Sequence, residues 1–191
     1  NFANIANRTA QQLMADALQV NGVPIGWSVD WGITDWLVPA GAWSHQGTYI
    51  SALNTIAEAA GVYLQPHRTA QTIRVLPRYP VPPWEWGSVV PGFVLPSAAT
   101  ARESLEWKDA ARYNGVYVSG VSAGVLGWVK RTGTAGDELA AMVVDPLITE
   151  AVAARQRGIA ILADTGRQID VTLRLPVLPE TGVIEPGDFV E

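Results

Sequence analysis

The sequence contains no cysteine. That excludes disulfides, thiolate nucleophiles and cysteine-ligated metal centres. Histidine is nearly absent too, with only His45 and His67. Metal sites need several convergent ligands, and the carboxylates are too scattered to supply a ligand spacing or a cofactor motif. Charge is sparse, at 16% of residues, and the 13 basic and 18 acidic residues leave a net charge of −5. This argues against the basic surface that nucleic-acid binding requires. No apolar run approaches the roughly 20 residues of a membrane-spanning helix. The opening NFANIANRTAQQ has neither the basic region nor the apolar core of a secretory signal. No repeat of fixed period is present.

What the sequence does have is 191 residues, eight tryptophans, 18 glycines and 13 prolines. That length suits one large domain or two small ones, and the glycines and prolines point to many short strands and turns. The chain starts without Met and stops at Phe189-Val190-Glu191, in what reads as mid-strand. It is therefore expected to be a piece of a longer protein, cut at its C-terminus.

Thr9 is a fair N-cap for a helix running to Val20, with Leu13, Ala17 and Val20 on one face and Asn21-Gly22 ending it. In Pro24 to Asp30, Ile25, Trp27 and Val29 alternate with polar or small residues, which predicts a half-buried strand. Trp31, Trp36 and Trp43 follow in a loop or irregular strand. Thr48 caps a second helix, Tyr49 to Ala60, with an apolar stripe of Ile50, Leu53, Ile56 and Ala57 and a stop at Gly61. Val62 to Gln65 and Thr72 to Leu76 form a hairpin around the loop that carries His67.

Arg78 to Gly87 (RYPVPPWEWG) holds three prolines, which exclude regular helix and central strand. It reads as an extended strap. Strands are expected at Ser104 to Lys108, Asn114 to Ser119, Val125 to Arg131 and Ala141 to Val144. Thr149 caps a third helix, Glu150 to Leu162. Gln168 to Leu175 alternates as a half-buried strand. The expected class is α+β: two small subdomains of short, mostly antiparallel strands, partly barrel-like, each with one or two packed helices. The expected division is 1–78, a Pro/Trp-rich strap over 79–103, and a β-rich part over 104–191.

Several motifs reduce to bland readings. Gly120-Val121-Ser122-Ala123-Gly124 spells the nucleophile elbow of serine hydrolases. That elbow needs a strand-to-helix turn and a later histidine, whereas this match lies between strands with no histidine after it. Leu178-Pro179-Glu180-Thr181-Gly182 spells a sortase signal but is followed by acidic, turn-forming residues, so an interstrand loop is expected. Gly133 to Asp137 lacks the Lys-Ser/Thr and helix of a P-loop. The close carboxylate pairs, Glu103/Glu106 and Asp137/Glu138, have no positive support as glycosidase acids. Both histidines read as solvated loop residues. The prolines 77, 80 and 83 match the loose PxxP pattern and read as a rigid spacer. About half of the tryptophans are expected in the core. The rest are candidate contacts, foremost Trp84 and Trp86, with Tyr79 beside them.

The run TAQTIRVLPRYPVPPWEW resembles tail proteins of Mu-like transposable phages and prophages. So does the later succession of Asp145-Pro146, an alanine-rich helix over Glu150 to Leu162, the strand Ile169 to Leu175 and the turn Pro186-Gly187-Asp188. The hub part of type VI secretion spike proteins is similar. The likeness covers most of the chain from Thr48 onward. It implies a structural, non-enzymatic component of a tail hub or baseplate. Such a component is a homo-oligomer, typically a trimer, that meets tube and spike proteins in the virion tail after assembly in the host cytoplasm. No catalytic, cofactor or metal residue is carried over. From the residues alone, a carbohydrate- or cell-wall-binding module using exposed tryptophans is the alternative.

Overall fold

The computed structural model describes residues 1–96, 98, 100–122, 124–177 and 182–191. The structure is α+β. It forms two compact units, each drawn from two stretches of chain: Asn1–Arg78 with Tyr113–Asp164, and Tyr79–Arg112 with Thr165–Glu191.

The first unit opens with β1 (Phe2–Ala3), β2 (Arg8–Thr9), α1 (Ala10–Ala17), β3 (Gln19–Val20) and β4 (Val23–Pro24). It continues through β5 (Ser28–Trp31), β6 (Leu37–Val38), β7 (Ser44–His45), α2 (Tyr49–Ala59), β8 (Val62–Pro66) and β9 (Thr72–Pro77). The second unit supplies a 3-10 helix (Pro83–Ser88) and β10 (Arg102–Lys108). The first unit resumes with β11 (Gly115–Ser119), β12 (Leu126–Lys130), β13 (Val143–Val144) and α3 (Ala151–Ala163). The second ends with β14 (Gln168–Arg174).

Thr9 caps α1 through a reciprocal box. Its hydroxyl accepts the Gln12 N–H at 3.3 Å, and the Gln12 side-chain oxygen accepts the Thr9 N–H at 3.0 Å. Leu13, Met14 and Ala17 are buried. The helix stops at Ala17, short of the expected Val20. Asn21 and Gly22, at φ 51° and 80°, form the two-residue turn between β3 and β4. Two successive left-handed residues match the twist of a hairpin, so Asn-Gly closes a hairpin rather than ending the helix. Gly26, at φ 90°, interrupts the expected strand. β5 begins only at Ser28, and Ile25 and Trp27 are exposed rather than half-buried.

Thr48 caps α2 as expected, accepting the Ser51 N–H at 3.2 Å. Leu53, Ile56 and Ala57 are buried, whereas Ile50 is exposed. Gly61 ends the helix at φ 67°, and a Cβ there would lie 2.5 Å from the Ala160 methyl of α3. One glycine therefore serves both the turn and the helix approach. Arg157 of α3 donates to the Glu58 carbonyl near the α2 C-terminus, satisfying one of the carbonyls a helix end leaves open.

Two three-stranded sheets organise the first unit. In one, β9 lies centrally, parallel to β5 and antiparallel to β8. In the other, β11 is central, antiparallel to β12 and parallel to β13. Val116 and Val118 of β11 are fully buried. The helix α3 approaches β12 at small residues: a Cβ on Gly158 would lie 2.5 Å from the Val129 side chain, and one on Gly127 would lie 2.8 Å from Ala154. Thr149 does not cap α3 as expected. Its hydroxyl donates to the Leu37 carbonyl at 2.5 Å, and Glu150 takes the N-cap position without a side-chain bond.

In the second unit, the strap is not extended throughout. Pro83 enters at the start of the 3-10 helix, where a missing N–H costs nothing and the fixed φ suits helical geometry. β10 and β14 form an antiparallel ladder from Arg102↔Arg174 to Lys108↔Gln168. The expected half-burial of β14 is not found, since all but Gln168 of its residues are exposed. Among the described residues no sheet closes into a barrel. The loop expected at Leu178 to Thr181 lies outside the described residues.

Candidate partner-binding surfaces

The structure assembles no catalytic group from the sequence candidates. Ser122 lies exposed in the turn between antiparallel β11 and β12, not at a strand-to-helix elbow. The glycines of that motif have a packing cause. A Cβ on Gly120 would collide with the Ile148 carbonyl oxygen and with Gly124, and one on Gly124 would collide with Gly120.

His45 is not a loop residue, contrary to expectation. It sits half-buried in β7 and stacks on Trp43, with ring centroids 6.5 Å apart and planes at 6°. Its Nε2 lies 2.8 Å from the Ser51 hydroxyl oxygen. The Ser51 hydroxyl also lies 2.8 Å from the Thr48 carbonyl, and the His45 Nδ1 lies 3.4 Å from the Thr55 hydroxyl. These contacts tie the imidazole to α2. His67 is exposed, and its Nδ1 accepts the N–H groups of Thr69 and Ala70, both at 3.2 Å. It stabilises its own loop.

The carboxylate pairs also separate. Glu103 and Glu106 are three apart on β10 and so face opposite sides of the strand. Asp137 accepts from the Asn114 side chain at 2.9 Å, and the Glu138 N–H donates to Asn114 at 2.8 Å. Among the described residues, no group of three or more potential ligands could hold a metal ion, and no helix is long and apolar enough to cross a membrane. A cavity of about 350 Å³ in the first unit is lined by Phe2, Leu13, Asp16, Trp43 and Tyr49, among others. Asp16 pairs with Arg8 at 2.8 Å, so this cavity holds no free acid–base pair.

The Asn114 side chain, followed by backbone N–H bonds, holds the Asp137 carboxyl below the usual carboxylate range. A carboxyl depressed by folding contributes stability above its unfolded value, and that contribution is lost as pH falls through the folded value. Asn114→Ala is therefore expected to raise the Asp137 pKa. NMR titration of that carboxyl checks the direction, and the stability that the variant loses is fully expressed above a pH of about 4 and vanishes at lower pH, where the carboxyl is protonated in both proteins.

Exposed aromatic and aliphatic side chains are the dominant surface feature. Among the tryptophans, Trp36 and Trp43 are buried, Trp31 and Trp84 half-buried, and Trp27, Trp86, Trp107 and Trp128 exposed. Within the strap, Tyr79 is half-buried and Trp86 is 43% exposed. The Trp86 indole N–H donates to the Val81 carbonyl at 2.9 Å, and its ring meets Phe189 edge-on at 5.6 Å. Trp86 is thus held rigidly with one side open, as an interface anchor requires.

Two sheet faces also expose apolar side chains. In the first unit, Tyr117 and Trp128 stack across β11 and β12, with centroids 6.3 Å apart and planes at 19°. Lys130 lies 5.4 Å over the Trp128 ring, and Leu126 is exposed on the same face. In the second unit, Leu105 and Trp107 of β10 stand beside Ile169, Val171 and Leu173 of β14, all exposed. Arg167 lies 5.8 Å over the Trp107 ring. The opposite face of that ladder is polar. There the adjacent Asp170 carboxylate raises the Lys108 pKa, first through a hydrogen bond and then through charge. The strands expected at Ser104 to Lys108 and Val125 to Arg131 contained Trp107 and Trp128 without indicating which face lay open. For β14, alternation was expected to mean half-burial, and its apolar residues are exposed.

Comparison with solved structures shows a likeness of fold. The whole chain is similar to the tail protein from Neisseria meningitidis MC58, with 14% sequence identity and a TM-score of 0.58, and covers 57% of that chain. A 43 kDa tail protein of prophage MuSo2 from Shewanella oneidensis matches over 95% of this chain and 52% of its own, with 17% identity and a TM-score of 0.48. The chain thus spans little more than half the length of the solved structures it matches. No family model and no curated protein matches the sequence. The fold is thus shared with part of the Neisseria tail protein.

Proposed function

We propose that this chain is a structural, non-enzymatic component of a phage tail, placed at its hub or baseplate. In this reading it assembles with itself as a trimer and with neighbouring tube and spike proteins, in a virion tail built in the host cytoplasm. The observation that carries the reading is the likeness in fold of this chain to 57% of the Neisseria tail protein. Two features support it. Among the described residues no group of three or more possible ligands could hold a metal ion, and both units expose apolar sheet faces of a kind that marks interaction sites.

The test is incorporation. An affinity-tagged copy, expressed while tails are being produced, is expected in purified tail particles at fixed stoichiometry by mass spectrometry. Its absence from intact tails would sink the proposal. Tyr79, Trp84 and Trp86 are proposed partner contacts. Trp86→Ala is expected to weaken incorporation by about 2 kcal/mol or more, the range of an interface hot spot, while the far-ultraviolet circular dichroism of the isolated chain is unchanged.

A second reading, a carbohydrate-binding module, draws on the exposed Tyr117–Trp128 stack. It predicts glycan-array binding that is lost in Trp128→Ala. Tail incorporation without glycan binding decides against it.

A further inference from the structure

The sequence holds two Asn-Gly pairs, Asn21-Gly22 and Asn114-Gly115. The pair has a chemistry of its own. The backbone nitrogen after an asparagine can attack the side-chain amide carbon and close a cyclic imide. Glycine presents that nitrogen with no side chain to shield it. The dipeptide is the same at both places, so any difference in reactivity comes from the fold.

Asn114 is held at both ends of its amide. Its side-chain nitrogen donates to Asp137 at 2.9 Å, and its side-chain oxygen accepts the Glu138 N–H at 2.8 Å. The Gly115 nitrogen, which would have to attack, donates its proton to the Glu138 carbonyl at 3.1 Å. Gly115 is buried and pairs with Lys130 from β11, the central strand of its sheet. Freeing this site means opening that strand, which lies at the costly end of local unfolding.

Asn21 has none of these restraints. Asn21 and Gly22 are exposed. Among the described residues, neither the Asn21 side chain nor the Gly22 N–H has a hydrogen-bond partner. Asn21 is left-handed, at φ 51°. The ψ of about +47° that goes with that conformation turns the next nitrogen away from the side chain, so the turn must open before the ring can close. The β3–β4 hairpin pairs only two residues on each side, and no third strand joins it. An isolated hairpin is marginal in water, so this opening costs little.

We infer that Asn21 is a site of spontaneous deamidation in the folded chain and that the fold protects Asn114. The Gly22 nitrogen bonds to the Asn21 side-chain amide carbon, and the bond from that carbon to Nδ2 breaks. The proton of the Gly22 nitrogen leaves with Nδ2 as ammonia. Water then opens the imide at either carbonyl. One opening gives aspartate. The other gives isoaspartate, in which the backbone runs through the side chain. Nothing is oxidised or reduced. Both products add a carboxylate at the cavity that Asn21 and Asp16 line. The isoaspartate also lengthens the turn by a methylene, which breaks the match of two left-handed residues to the hairpin twist. The inference does not depend on the tail reading.

Peptide mass mapping of the purified chain, held at mildly alkaline pH, tests it. In the folded chain Asn21 is expected to lose its amide about tenfold or more faster than Asn114, because a frayed hairpin opens far more readily than a central strand. In denaturant the two rates are expected to converge. Asn21→Gln, whose extra methylene demands a larger ring, is expected to stop the slow appearance of an acidic form in ion-exchange chromatography. Equal rates at the two sites in the folded chain, or no loss at Asn21, overturns the inference. So does an acidic form that accumulates undiminished in Asn21→Gln. A gap between the sites that persists in denaturant overturns the fold as its cause.

Discussion

Trp36→Ala is expected to destabilise the first unit by about 3–5 kcal/mol, as truncation of a buried tryptophan does. Equilibrium denaturant unfolding, with the slope checked against wild type, measures it. The side chain is 2% exposed, and its indole N–H donates to the Leu147 carbonyl at 2.9 Å. That bond spans the two stretches of chain from which the unit is built. Two neighbouring bonds do the same, from Thr149 to the Leu37 carbonyl and from Gln156 to the Thr34 carbonyl. Trp36→Phe keeps most of the buried area but strips the Leu147 carbonyl of its donor. It is expected to cost about 1–3 kcal/mol, the penalty of a buried group left unsatisfied. The difference between the two variants separates packing from hydrogen bonding.

Gly120→Ala and Ser122→Ala are expected to part company. A Cβ on Gly120 would overlap the Ile148 carbonyl oxygen and the Gly124 Cα. Both are backbone atoms, so relief requires the turn itself to shift. The expected cost is about 3 kcal/mol or more, at the upper end of overpacking, and it is read in the melting temperature. Ser122 is exposed in the same turn, and its replacement by alanine is expected within about 0.5 kcal/mol of wild type, with no change in labelling by serine-directed activity probes. A hydrolase would give the opposite pattern, with a tolerant glycine scaffold and a serine on which labelling depends. The spelling of the motif is therefore explained by backbone proximity, not by nucleophile chemistry.

The helices were the most legible part of the sequence. Thr9 and Thr48 cap where the Ser/Thr rule places them, and Gly61 stops α2 in the left-handed conformation. These signals are local, carried by side-chain bonds that span three residues or by one backbone angle. Strand positions were also legible for β8 to β12, where alternation is regular. Misreadings arose where one local signal had two physical outcomes. Asn21-Gly22 suits a helix stop and a hairpin turn equally, and the pairing of β3 with β4 decided it. Thr149 has the chemistry of an N-cap, yet its hydroxyl reaches Leu37, which is 112 residues away in sequence. Trp27 and the apolar residues of β14 were expected to be half-buried from alternation, although alternation reports only that two faces differ and not that either is covered.

The sequence by itself determined the class of elements, the caps at Thr9 and Thr48, the stop at Gly61 and the absence of cysteine. These follow from residue identity and from interactions within a few positions. The resemblance to tail proteins also lay in the sequence. Tertiary structure alone decided which stretches join to form each unit, that His45 is tied to α2 rather than solvated, and that the apolar faces carrying Trp107 and Trp128 are open. The joining of the stretches depends on contacts more than a hundred positions apart, as from Trp36 to Leu147, and even His45 reaches Ser51 only across the turn from β7 into α2. The energy of such a contact belongs to neither partner alone, so local pattern does not contain it.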